Sequence, residues 1–298
     1  MKKLSPARSG TTQVLKAARK RIDSTLEMLK KTHLGDKDVH DARKALKKAR
    51  AALRLLQPGL KDSIYRRENL ALRDAARPLS TVRDAKVLLD TLSMVVASDE
   101  APATAPRFDG LQRVLKHHRT ATNHSVLEAP AALAHSRRLL RKSRTEIAAQ
   151  TIRRKDWDVL GPGLRHIYAK GRRAMSEVRD RPTPGAFHEW RKQVKYLRYA
   201  LAILEPVCPG LIAALVDEAH RLADSLGDNH DLNVLKEMAR ANPGELSDDS
   251  LDVLVALIER RQEKLHRRSL AVGSRLFDEQ PKVFARRIGQ RWQQWRDT

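Results

Sequence analysis

The chain has 298 residues, room for one large or two modest globular domains. Its 59 lysines and arginines against 36 aspartates and glutamates leave a formal charge of +23, a self-repulsion that asks for an anionic partner. Aromatic residues make up 4% and there is one cysteine, which argues against an extended base-stacking surface and excludes an internal disulfide framework or a paired-thiol metal site.

Glycine and proline, 13 of each, fall mostly between long segments rich in Ala, Leu, Arg and Lys, which predicts an all-α chain. In chain order, helices are expected at about Thr12 to Thr32, Val39 to Leu56, Lys61 to Ala76, Val82 to Ser98, Phe108 to Leu127 and Pro130 to Arg154. A second series follows at about Trp157 to Arg179, Ala186 to Leu204, Leu211 to Leu226, His230 to Arg240, Asp248 to Ser274 and Pro281 to Arg296. No convincing strand is expected. Basic residues near the N-terminus are not followed by an apolar stretch, and no run approaches the roughly 18 apolar residues of a membrane span. The expected location is therefore the cytoplasm, with no membrane partner.

Two of these segments are copies. VHDARKALKKARAALRLLQP, from Val39 to Pro58, aligns without a gap on FHEWRKQVKYLRYALAILEP, from Phe187 to Pro206, at an offset of 148 with nine of twenty positions identical. Downstream, Leu79 to Leu89 matches Leu226 to Lys236 at an offset of 147 and pairs Asp84 with Asp231. A period this long implies an internal duplication, two copies of a domain-sized helical bundle related by a pseudo-twofold axis. One half spans about 1–150 and the other about 157–298, with Ala101 to Pro106 and Ala241 to Ser250 as corresponding loops.

In the first copy Val39, Ala42, Leu46, Ala49, Leu53 and Leu56 recur at spacings of three and four. Phe187, Trp190, Val194, Leu197, Leu201 and Leu204 do the same in the second, the seam of an antiparallel bundle. One residue round each helix, a second row reads His40, Arg43, Lys47, Arg50 and Arg54, and its counterpart His188, Arg191, Lys195 and Arg198. A charge run is ordinarily a solvated face. These rows, however, have few acidic partners four residues away, and they occur twice, so a pseudo-twofold pairing would set one against the other. Arg165, His166, Lys170, Arg172 and Arg173, in the segment just before the second row, extend the basic track.

HxxRKxxKxxR with an Ala/Leu/Pro tail, present twice and each time followed by a leucine-initiated element ending DxxVL, resembles the CHAD domain, the histidine-containing α-helical domain. The resemblance covers essentially the whole chain. It implies a single domain of two pseudo-symmetric four-helix bundles whose basic helices line a central groove or pore for inorganic polyphosphate, with no cofactor. The positions that match are His40, Arg43, Lys44, Lys47 and Arg50 in one copy and His188, Arg191, Lys192, Lys195 and Arg198 in the other. Leu79-Ser80 departs from Leu226-Gly227 and implies a looser turn at that point.

The chemistry agrees, because polyphosphate offers closely spaced charges and no bases, and so asks for rows of guanidinium and ammonium donors. His40 and His188 begin their helices, and either role, protonated phosphate ligand or neutral hydrogen-bonder, is open to them. Gly227 to Asp231 (GDNHD) is similar to a phosphoesterase metal signature, but the aligned residues of the first copy, Ser80 to Asp84, cannot hold a metal pair. Asp84 and Asp231 are expected instead to start helices or to pair with basic neighbours. With neither a phosphate-binding glycine loop nor an ExExK motif, catalysis is not expected. The function expected is polyphosphate binding, with granule association or regulation of stored phosphate as its use; a nucleic-acid-binding basic protein is the alternative.

Overall fold

The computed structural model describes residues 4–97, 108–128, 130–154 and 156–298. Among them there are ten α-helices and no strand. In order they are α1 (Gly10–Met28), α2 (Asp36–Leu56), α3 (Asp62–Val96), α4 (Asp109–Asn123) and α5 (Pro130–Ala148), then α6 (Asp156–Asp180), α7 (Pro184–Leu204), α8 (Pro209–Arg240), α9 (Asp248–Leu276) and α10 (Pro281–Arg296). The loop expected at Ala101 to Pro106 lies outside the described residues.

The start of each basic helix follows from its local sequence. The Asp38 carboxylate turns back to accept the backbone N–H of Gly35 at 3.2 Å, and it and Asp36 put negative charge at the positive end of α2. Thr183 Oγ1 accepts the N–H of Ala186 at 3.2 Å, and Pro184 starts α7 where no N–H is needed. Both helices close in a short 3₁₀ turn carrying a proline, Pro58 in one and Pro206 in the other. The seam is buried along its whole length in both helices, from Val39 to Leu56 and from Phe187 to Leu204.

Twelve expected helices become ten because two pairs are continuous. Lys61 to Ala76 and Val82 to Ser98 join in α3 across Pro78, and Leu211 to Leu226 and His230 to Arg240 join in α8 across Gly227. No turn exists at Leu79-Ser80 or Leu226-Gly227, and neither Asp84 nor Asp231 starts a helix. One proline and one glycine do not outweigh the apolar surface these helices bury at either side of them.

At 35 and 32 residues, α3 and α8 are each roughly 50 Å long and bridge two hydrophobic clusters. The larger takes in α1, α2, α5, α6 and α7, and the smaller joins Leu88, Leu92 and Leu115 to Leu232, Leu235 and Ile258 at the far ends. Both clusters draw residues from before 150 and after 157. The helices that carry the two copied segments touch directly, α2 on α7 and α3 on α8.

Candidate anion-binding groove

Because α2 packs on α7 while α3 and α8 pack beside them and on one another, the two basic rows are brought to one groove of about 330 Å³. His40, Arg43, Lys44 and Lys47 line it from α2, and Arg191, Lys195 and Arg198 from α7. Arg83 and Asp84 of α3 line it as well, together with Asp224, Asp228, His230 and Asp231 of α8. Seven lysines and arginines thus face four aspartates.

Few of these charges neutralise each other. The Arg43 side chain, 14% exposed, donates through Nη2 to Asp84 Oδ1 at 3.1 Å. Among the described residues Lys44, Lys47, Arg191, Lys195 and Arg198 have no carboxylate within ion-pair distance in the groove. The Nε atoms of Arg43 and Arg191, aligned in the duplication, are both buried without a hydrogen-bond partner. Buried donors without acceptors cost stability, so the groove is built against its own electrostatics.

Lys47 and Lys195, the next aligned pair, lie deepest between these guanidinium groups. Burial, then Arg43 and Arg191, push the Lys47 ammonium down to about 8. Burial, then Arg191 and Lys47, push Lys195 down to about 6 against the opposing pull of Asp231. On the acidic side burial raises Asp231 and Asp228 above the usual carboxylate range, although Arg191 pulls both down.

The histidines are held towards their neutral forms. Burial and Arg83 lower His40, burial and Arg191 lower His188, and burial with Arg191 and His188 takes His230 down to about 4. The His188 ring lies against His230, with centroids 4.8 Å apart and planes at 52°. Of the two roles open to His40 and His188, the protonated ligand is therefore the disfavoured one in this setting.

Several expected site residues lie elsewhere. Arg50 turns from the groove, its Nε donating to Asn69 Oδ1 at 3.0 Å and its guanidinium over the Tyr196 ring. Lys192 pairs with Glu189 on its own helix. Arg165 lines a separate cavity beside α10, and Arg172 and Arg173 a third hollow. Arg172 is already engaged, donating to the Phe277 carbonyl at 3.2 Å and Gln280 Oε1 at 3.0 Å, which ties down the turn between α9 and α10. The track expected to extend from the second basic row is accordingly corrected: these arginines do not line the groove, but two adjoining hollows that share Ala169, Gln280 and Pro281.

Conversely, Arg83, His220, His230 and the aspartates Asp224 and Asp228 line the groove without having been expected there. A signal existed for Arg83 and His230, which align at the offset of 147 and precede Asp84 and Asp231. The GDNHD residues are all within α8, where Asn229 turns inward and its Oδ1 lies 2.8 Å from His266 Nε2, while His230 and Asp231 face the groove.

The family model of the CHAD domain matches residues 15–240. The chain belongs to the CHAD domain family. The match takes in α2, α3, α7 and α8, every helix that lines the groove, and stops at the end of α8. A crystal structure of the CHAD domain from the plant Ricinus communis is similar to this chain, with a TM-score of 0.58 over 88% of this chain and 90% of that one. At 17% identity this CHAD likeness speaks for the fold alone. No curated protein matches the chain. Among the described residues of this CHAD protein no helix is long and apolar enough to cross a membrane.

Proposed function

We propose that this protein is a non-catalytic binder of inorganic polyphosphate and that the α2–α7 groove is its site. The observation that carries the reading is the convergence of Arg43, Lys47, Arg191 and Lys195, two aligned pairs of deep basic side chains with a single ion pair among them. A chain of phosphates supplies many acceptors at short spacing and needs neither base stacking nor a metal to be held. Polyphosphate binding is a known association of the CHAD domain, which is in general a binding and not a catalytic module. His40, Lys44 and Arg198 at the groove mouth would take the outer phosphates. His188 would act through His230, and Arg50 and Lys192 through the packing and charge around the deep pairs. The duplication of α2 and α3 in α7 and α8, with a pseudo-twofold axis near Lys47 and Lys195, is part of this reading. So are residence in the cytoplasm and association with polyphosphate granules.

The test is a competition titration near physiological salt, with labelled long-chain polyphosphate against single-stranded and double-stranded nucleic acid. Polyphosphate is expected to win by orders of magnitude per phosphate. Arg43→Ala/Lys47→Ala/Arg191→Ala/Lys195→Ala is expected to lose that preference while staying helical. Equal competition by nucleic acid, or an unaltered quadruple variant, would return the stripes to solvated faces. Salt dependence cannot separate the two ligands, since both release counterions.

A further inference from the structure

A second, roomier cavity lies apart from the α2–α7 groove. It measures about 860 Å³, lies between the C-terminal end of α2, the turn after it, α6 and the start of α10, and shares no lining residue with the central groove. Its volume is in the range of small-molecule sites. Four cationic or titratable side chains converge on it from three helices, Arg54 of α2, Arg165 and His166 of α6, and Lys282 of α10. Between them the wall is apolar, formed by Pro58, Leu60, Pro162, Ala169 and Pro281.

The charge here is unmatched. Among the described residues Arg165 and Lys282 have no carboxylate partner, and the one acid at the rim, Asp62, is already paired with Arg66 at 3.1 Å. The Arg54 guanidinium carbon lies 4.0 Å from the centre of the Tyr196 ring, and its buried Nε has no hydrogen-bond partner. The charged groups that act on His166, namely Lys170, Arg54 and Arg173, are all cations. A guanidinium backed by an aromatic ring presents a preformed planar surface on which a second flat ring stacks.

The cavity is also a point where the two copies differ. Arg54 aligns with Ala202, and the hollow that Ala202 lines is only about 40 Å³. Lys282, Pro281 and Gln280 come from beyond residue 240, outside the family match. A feature confined to one copy and completed by a helix outside the matched region is not a repetition of the central groove.

We propose that this second cavity binds a small organic phosphate with a flat apolar body, of the nucleoside triphosphate class. The body lies against Leu60, Pro162 and Arg54, and the phosphates meet Arg165 and Lys282. A bare polyphosphate chain would leave the apolar wall uncovered, whereas a nucleoside covers it.

The experiment is a fluorescence titration of the full chain with ribose-labelled ATP, run with and without saturating long-chain polyphosphate. A single ATP is expected to bind in both arms. Arg165→Ala/Lys282→Ala, both exposed positions, is expected to weaken ATP by about tenfold or more and to change polyphosphate affinity less than about twofold, with the circular dichroism spectrum unchanged. Inorganic tripolyphosphate, with similar charge and no apolar body, is expected to compete poorly. Displacement of ATP by long-chain polyphosphate, equal competition by tripolyphosphate, or wild-type ATP affinity in the double variant would each overturn the proposal. The arm with saturating polyphosphate, in which the central groove is filled, reads this cavity alone, and Arg165→Ala/Lys282→Ala reports on this cavity while Arg43→Ala/Lys47→Ala/Arg191→Ala/Lys195→Ala reports on the groove, so failure of the polyphosphate reading remains separable from failure of this one.

Discussion

Lys195 holds an ammonium group between Arg191 and Lys47, deep enough that burial and these neighbours bring it down to about 6. An unfolded lysine titrates near 10.4, so between about pH 6 and 10 the unfolded chain binds more protons than the folded one. The contribution of this group to stability therefore rises with pH across that window, and the full cost of burying its charge is felt below pH 6. Lys195→Met is expected to raise the midpoint of thermal unfolding most at pH 6, with the gain shrinking towards pH 10; a gain independent of pH would contradict this account. The same residue makes anion binding take up protons. At pH 7.5 calorimetry in buffers of different ionisation heat is expected to show uptake of roughly one proton per bound polyphosphate segment, reduced in Lys195→Met. Legibility at this scale was uneven. Periodicity put Arg43, Lys47, Arg191 and Lys195 on one face each, and the groove contains all four. It could not show that Arg50 is drawn off by Asn69 or Lys192 by Glu189, because those partners are settled by rotamer choice and by a neighbouring helix.

Gly163 lets α6 cross the end of α2 at a distance no side chain would permit. A Cβ there would stand 2.1 Å from the Leu55 carbonyl oxygen, a backbone atom that cannot swing aside. Gly163→Ala is expected to destabilise the fold by about 2 kcal/mol, read by chemical denaturation, and to widen the cavity beneath it. Gly227 is a different case, since a Cβ at that position would meet the Arg191 side chain only at 3.5 Å, an ordinary contact, and Gly227→Ala is expected to be nearly neutral. The helix pattern itself was readable from apolar spacing, and the seams of α2 and α7 are buried as that spacing required. What the spacing missed was continuity. Pro78 and Gly227 carry the local signature of a break, yet each lies in the middle of a helix whose two ends are anchored in different apolar clusters. A short window along the chain contains the breaker but not the distant packing that overrides it.

At the scale of the molecule, a formal charge of +23 is a standing repulsion that the fold concentrates further by bringing two basic helices together. A polyanion that binds only the folded form relieves it, and at a hundred times its dissociation constant it stabilises by about 2.7 kcal/mol. Long-chain polyphosphate is therefore expected to raise the unfolding midpoint by several degrees, and the Arg43→Ala/Lys47→Ala/Arg191→Ala/Lys195→Ala variant to show most of that rise abolished. The two walls of the groove are separated in the chain by well over a hundred residues, Arg43 and Lys47 on one side, Arg191 and Lys195 on the other. During synthesis the first wall leaves the ribosome long before the second exists, an unpaired basic helix among abundant RNA. On the reading proposed above, the groove exists only once α7 and α8 have emerged and closed on α2 and α3, so a chain terminated before them would carry a basic helix without the groove.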